Sequence, residues 1–302
     1  MNNAHHSPRN TNVRTDGLVI AAFGRHYLAE TKNNIILDCV VRGKRSGVAC
    51  GDHVEILPTT PGQGVIEKIK PRTTLLYRSD AFRKKIIAAN ITQIIVVVAA
   101  IPSFSEELIN RCLVAAESQY IKALIVLNKA DMIVPTRDAA VTLSLYQELG
   151  YPLIQLSANQ DINTLIPYLK GNVSVLAGQS GMGKSTLINT LIPKADRTIS
   201  EISTALDSGC HTTTHAHLYH FDTNSQIIDT PGIQEFGIHH IENENLAWQF
   251  VEFRPYIGQC RFNNCRHGHE PDCAIINATK AGKISDRRLA FYRRLKHQTY
   301  KN

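Results

Sequence analysis

The sequence predicts an α/β core flanked by an N-terminal all-β unit and a C-terminal unit organised by cysteines. Three features predict it. Between residues 81 and 238 apolar runs alternate with helical patterns, as in a parallel sheet covered by helices on both faces. Upstream, residues 17–80 hold short strand-like runs separated by turn residues. Downstream, three cysteines and two histidines crowd into residues 260–273.

The chain opens with a polar segment, residues 1–16, expected to form a disordered basic arm. It lacks the apolar stretch of a secretory signal. The next runs are GLVIAAFG (17–24), NIILDCVV (34–41), DHVEILP (52–58) and GQGVIEKI (62–69). Breaks at Asn33-Asn34, Gly43, Ser46-Gly47 and Pro61-Gly62 separate them, which predicts a small β-barrel or sandwich.

The core begins with ITQIIVVVAA (91–100), an unbroken apolar strand buried on both faces. A helix (105–120), a strand (122–131), a helix (137–150), a strand (151–159) and a helix (162–171) follow. Then come a strand (172–181), a helix (183–192) and the strand SQIIDTPG (225–232). Residues 239–302 form the last unit, with one helix over 242–256, the cysteine cluster and a basic helix over 285–298.

The 302 residues are 43% hydrophobic, enough for real cores, and carry a net charge of +7. The charge points toward a polyanionic partner such as nucleic acid. No apolar run approaches the roughly 18 residues of a membrane span, so a cytoplasmic protein is expected. Of 7 cysteines, Cys39, Cys50, Cys112 and Cys210 are dispersed and read as small buried hydrophobes.

Residues Gly178–Ser185, GQSGMGKS, match G-x-x-x-x-G-K-[ST] in full, between an apolar strand and a helix. Gly178, Gln179, Ser180, Gly181, Met182 and Gly183 would present backbone N–H groups to phosphate oxygens. The helix start at Lys184, Ser185 and Thr186 adds its partial positive charge. Lys184 would bridge the β- and γ-phosphates, and the Ser185 hydroxyl would ligate Mg²⁺. Asp229 and Gly232 of DTPG follow an apolar strand; the carboxylate would hold Mg²⁺ and the Gly232 N–H the γ-phosphate.

The base reader is Asn128-Lys129-Ala130-Asp131. The Asp131 carboxylate would accept from the guanine N1–H and exocyclic amine, which adenine does not offer. Asn128 would hold the base edge, the Lys129 stem would cover the ring, and a backbone N–H at Ser157-Ala158 would reach the guanine oxygen. This reader precedes the phosphate loop, and no second Asn-Lys-x-Asp follows Asp229. The helix after Ser157-Ala158 runs into the phosphate-loop strand, so the order is that of a circularly permuted GTPase whose old termini were joined. The γ-phosphate sensor after Gly232 then feeds directly into the C-terminal unit.

Ile233 stands where Ras-like GTPases carry a water-orienting Gln. The first-switch segment GCHTTTHAHLYH supplies the alternatives. Thr213, then Thr212, would ligate Mg²⁺, and His211 would position or activate water. Cys260, Cys265, His267 and Cys273 suit one tetrahedral Zn²⁺ with no open position, hence structural, with His269 as competing nitrogen ligand. On the basic helix, Leu289, Tyr292 and Leu295 would dock while Arg287, Arg288, Arg293, Arg294 and Lys296 faced phosphate.

The order NKAD, SA, GQSGMGKST, HTTT, DTPG, followed by Cys-x₄-Cys-x-His-x₅-Cys, resembles the RsgA (YjeQ) family of small ribosomal subunit biogenesis GTPases over roughly residues 17–295. The resemblance implies an N-terminal OB-fold, a permuted GTPase core and a C-terminal zinc domain. It implies binding of the small subunit and its rRNA, with hydrolysis stimulated by that subunit. It also implies a catalytic role for His211. Other assembly factors are further expected partners, and a monomer is expected. The segment before His211, with Asp207 and Cys210, departs from the glycine and basic residues usual there. A GTP-regulated RNA-binding switch with negligible turnover is the alternative; a small-molecule kinase is disfavoured by the guanine reader.

Overall fold

The computed structural model describes residues 13–43, 47–79, 84–193, 216–230, 241–242 and 244–299. The N-terminal strands are β1 (Thr15–Phe23), β2 (His26–Thr31), β3 (Ile36–Val41), β4 (His53–Pro58) and β5 (Gln63–Ile69). They pair in the order β1-β2-β3-β5-β4, and β4 pairs back onto β1, closing a five-stranded barrel. All pairs are antiparallel except β3 with β5. This is the OB-fold order. Alternate residues Val54 and Ile56 of β4, with Val19, Ala29, Cys39 and Ile66, fill the interior.

Two differences from expectation have local causes. Thr15 and Asp16, assigned above to the disordered arm, lie in β1 opposite Ile56 and Glu55, and Asp16 forms an ion pair with Lys70. β2 carries three consecutive buried residues, Tyr27, Leu28 and Ala29, so it lacks the alternation that marks a half-exposed strand. A hairpin of β6 (Leu75–Ser79) and β7 (Lys84–Ala89) then leads into the core.

The core strands are β8 (Gln93–Ala99), β9 (Lys122–Asn128), β10 (Leu153–Gln155), β11 (Val173–Ala177), β12 (His217–His220) and β13 (Gln226–Asp229). Their order is β10-β9-β8-β11-β13-β12, parallel apart from β12. The helices are α1 (Glu106–Ser118), α2 (Ile133–Glu148), α3 (Ile166–Leu169) and α4 (Lys184–Leu191). Every residue of β8 is buried, as a central parallel strand requires. The chain steps from β8 outward through β9 to β10, then returns through α3 to β11 on the other side of β8. The carboxyl ends of β8 and β11 therefore flank a topological switch point, where ligands bind in open α/β sheets.

The return crossing is short. The helix expected over 162–171 is a single turn, because Pro167 removes an N–H and Gly171, at positive φ, ends the segment. Polar side chains close the joint. Thr92 Oγ1 and Lys122 Nζ both donate to Asn172 Oδ1, at 3.1 and 3.2 Å, and Gly171 N donates to Ser225 Oγ at 2.9 Å.

The C-terminal unit contains α5 (Ala274–Lys280) and α6 (Asp286–Thr299). The helix expected over 242–256 is instead two 3₁₀ turns, Ala247–Gln249 and Val251–Tyr256, broken at Phe250, whose backbone is extended. That break lets Phe250 stack on Phe253, with ring centres 4.9 Å apart, and meet Tyr292 edge-on at 5.4 Å. Arg288 is 1% exposed, not facing phosphate: it binds Glu252 at 2.5 Å and Asn110 Oδ1 at 2.6 Å. This pins the unit to α1. Among the described residues no helix is long and apolar enough to cross a membrane.

Candidate nucleotide and metal sites

The base reader lies at the carboxyl end of β9 and the phosphate loop at that of β11, with β8 between them. Asn128, 2% exposed, links them. Its Nδ2 donates to the Met182 carbonyl oxygen at 2.9 Å, and its Oδ1 accepts from Lys129 N at 2.8 Å and Ala158 N at 3.0 Å. One side chain thus fastens the base reader, the Ser157-Ala158 turn and the phosphate loop. The Ala158 N–H expected at the base edge is engaged by Asn128 in this arrangement. A second tie, not foreseen from sequence, runs from Thr190 Oγ1 on α4 to the Ala158 carbonyl at 2.9 Å.

Two glycines of the loop are required by close approach. A Cβ on Gly178 would strike the carbonyl of Val97 on β8. Gly183 sits at φ +88, and a Cβ there would strike Asn128 Nδ2. Gln179 Oε1 accepts from Ser105 N at 2.7 Å, tying the loop to the start of α1. Met182 is buried, while Ser180, Gly181, Ser185 and Thr186 are exposed on the open side.

Lys184 Nζ donates to the carbonyl oxygens of Gly178 and Gln179 at 2.6 and 2.8 Å. Burial lowers its pKa, while the negative charge of Asp229 works the other way. Burial raises the Asp229 carboxyl, and Lys184 only partly offsets it. Each charge is therefore held at a cost that a phosphate and a divalent cation would relieve. At the base end, Asp131 Oδ1 accepts from Ser157 Oγ at 2.6 Å, which orients the carboxylate, and Lys129 Nζ donates to the Ile101 carbonyl at 2.9 Å. Ala130 follows, its N–H bonded to the Leu156 carbonyl. His211, Thr212, Thr213, Gly232 and Ile233 lie outside the described residues.

The four expected metal ligands converge: Cys260 Sγ, Cys265 Sγ, His267 Nδ1 and Cys273 Sγ all lie within 4.8 Å of one another. Cys260 Sγ is 3.8 Å from Cys273 Sγ and 3.5 Å from His267 Nδ1, which is 3.4 Å from Cys273 Sγ. A tetrahedral zinc with ordinary bond lengths sets about 3.8 Å between sulfurs and about 3.5 Å between sulfur and nitrogen. The donor set fits that ion. His267 takes φ +56 to bring its ring in, whereas exposed His269 stays out of the group. Burial pushes the Cys265 and Cys273 thiols up, so without a cation these two thiols hold their protons.

The knuckle is held by α6. Glu270 accepts from the N–H groups of Arg266, Gly268 and His269 at 2.9, 2.7 and 3.1 Å. Lys296 Nζ and Tyr292 Oη donate to the Arg266 carbonyl, and Arg293 to that of Gly268. Arg287 pairs with Glu106 on α1 at 3.0 Å. Of the five basic residues expected to face phosphate, Arg287 and Arg294 remain exposed, the Arg294 guanidinium over the Phe291 ring at 5.7 Å.

This chain is similar to known proteins. The RsgA GTPase family model matches residues 69–239. The small ribosomal subunit biogenesis GTPase RsgA of Nitrosospira multiformis is 59% identical over 288 residues, covering 95% of this chain and 92% of that protein. Its counterpart in Nitrosomonas europaea is 52% identical, with the same coverage of both chains. Among solved structures, YjeQ from Thermotoga maritima aligns with TM-score 0.73 at 31% identity, over 96% of this chain and all of that one. YloQ, a circularly permuted GTPase, aligns with TM-score 0.70 at 26% identity, over 99% and 98%.

Proposed function

This chain belongs to the RsgA GTPase family, and from that premise we propose that it binds the small ribosomal subunit and assists its late maturation, hydrolysing GTP when bound there. The observation that carries the reading is the Asn128–Met182 hydrogen bond: a guanine reader and a phosphate loop share one site although their order in the chain is inverted.

Asp131, oriented by Ser157, selects guanine, and Lys184 with the loop N–H groups binds the phosphates. Ser185, Asp229 and Thr213 are the residues that would hold Mg²⁺, which would neutralise charge on the phosphates. His211 positions the attacking water. The water oxygen bonds to the γ-phosphorus, the bond to the bridging oxygen breaks with its electron pair left on GDP, the water's proton passes to the released phosphate or solvent, and GDP and phosphate leave. Ile233 cannot orient water, which supports low intrinsic turnover and a requirement for the subunit. The barrel, of a type that binds RNA, and the net charge of +7 support contact with rRNA. The cysteine cluster would take one structural Zn²⁺. Residues 17–80, 81–238 and 239–302 act as barrel, GTPase and zinc units of a cytoplasmic monomer.

The test is GTP hydrolysis by the purified protein alone, with small ribosomal subunits, and with large subunits. Stimulation by small subunits only is expected, and its loss in His211→Ala. Nucleotide-dependent binding to the subunit with no stimulated turnover would replace this reading with that of an occupancy switch.

A further inference from the structure

Four aromatic rings of the C-terminal unit are buried: Phe250, Phe253, Phe291 and Tyr292 are at most 1% exposed. Trp248 and Phe262 are not. They are 48% and 42% exposed and line one cavity of about 370 Å³ on the open side of the metal knuckle. The cavity is far larger than a metal ion requires. Three metal ligands, Cys260, Cys265 and His267, form part of its wall; its remaining polar lining is Glu244, Asn245 and Asn263, side chains able to accept from and donate to a base edge. A guanidinium accompanies each ring: Arg254 lies over Trp248 at 5.7 Å and Arg261 over Phe262 at 5.5 Å. Arg254 also pairs with Glu117, partly buried, and Arg261 with Asp272 at the surface.

Water-exposed aromatic faces flanked by arginine and amide groups are the means by which proteins hold unstacked nucleobases. The geometry points to a base-stacking pocket: an unpaired base of single-stranded RNA inserts against Trp248 and Phe262, with Asn245, Asn263 and Glu244 at its edge. This deepens the small-subunit reading above, and rests on it for the identity of the RNA. It places the base contact on the 3₁₀ turn and knuckle, not on the basic helix, whose Arg288, Arg293 and Lys296 bind protein groups.

Trp248 is the only tryptophan in the chain, so its emission reports this pocket alone. The zinc-loaded full chain is titrated with short single-stranded oligoribonucleotides of each base, and with a blunt RNA duplex of equal length. Saturable quenching by single strands and not by the duplex is expected. Labelled RNA should bind roughly 5- to 100-fold more weakly to Trp248→Ala and to Phe262→Ala, each checked for metal content and circular dichroism. RNA that binds without changing Trp248 emission, or no binding by any single strand, overturns the pocket. Quenching by intact small subunits that no single strand reproduces also overturns it, in favour of a protein contact. The stimulated GTPase rate is a separate readout, so failure here is distinct from failure of the small-subunit reading.

Discussion

The side-chain amide of Asn128 donates to the carbonyl oxygen of Met182 at 2.9 Å, across 54 positions of chain and the permutation joint. Both partners are buried. The bond makes the base reader part of the phosphate loop's support. Asn128→Ala removes this bond and leaves the Lys129 and Ala158 N–H groups without their acceptor, at about 1–3 kcal/mol for each buried group left unpaired. GDP affinity should fall tenfold or more along with Tm, measured by titration with a fluorescent GDP analogue and by thermal melting. A lowered Tm with unchanged affinity would reduce the tie to a folding role.

Asp229→Asn tests whether the site keeps an unfavourable charge for function. Burial raises the Asp229 carboxyl, so its ionised form is costly in the folded apo protein. A group raised by folding contributes stability below its unfolded pKa and loses it as pH rises through the folded one. At neutral pH the Asn variant, free of that charge, should melt higher than the parent without nucleotide. The gap should close as pH falls into the carboxylate range, where the parent is protonated. Mg²⁺-dependent GTP hydrolysis should drop roughly 100-fold or more. A lower melting temperature for the variant at neutral pH would contradict the charge argument.

His217 gives a pH dependence of opposite sign. It sits on β12 opposite Ala21 of β1, where the barrel meets the core sheet, and burial lowers its pKa to about 4. A histidine depressed by folding stabilises above its unfolded value near 6.5 and loses that contribution as pH falls toward 4. The loss is on the order of 3 kcal/mol over that window. Denaturant melts of the parent between pH 7 and 4 should show this slope, and His217→Phe should flatten it. Equal slopes in the two proteins would assign the acid loss elsewhere.

Much of this was legible in sequence. The phosphate loop, the base reader and the four metal ligands announce themselves because chemistry fixes both residue type and spacing. The inverted order was readable because only one Asn-Lys-x-Asp exists. What was not legible depends on partners that carry no side-chain signature. Asn128 and Thr190 bind backbone carbonyls, which any residue supplies. The break at Phe250 was hidden because helical spacing of apolar residues does not reveal that one ring must turn inward. The buried β2 triplet Tyr27–Ala29 lacked alternation for the same reason: both of its faces are covered.

Arg288 shows how a charge on a basic helix misleads, and it yields the last test. Its neighbours Arg287 and Arg294 are exposed, yet Arg288 points inward to Glu252 and Asn110, with its guanidinium 4.6 Å from the Phe250 ring centre. Breaking a buried pair from one side strands the other charge, at about 3–5 kcal/mol. Arg288→Ala should therefore lower Tm sharply and loosen the C-terminal unit from α1. Hydrogen exchange should rise in residues 244–299 while the barrel stays protected. Replacing both charges, Arg288→Met with Glu252→Gln, should recover part of the loss, because no isolated ion remains buried. Arg294→Ala, which removes an exposed charge resting on Phe291, should change Tm little. If Arg288→Ala proves as mild as Arg294→Ala, the clasp between α6 and α1 is not what holds the unit in place.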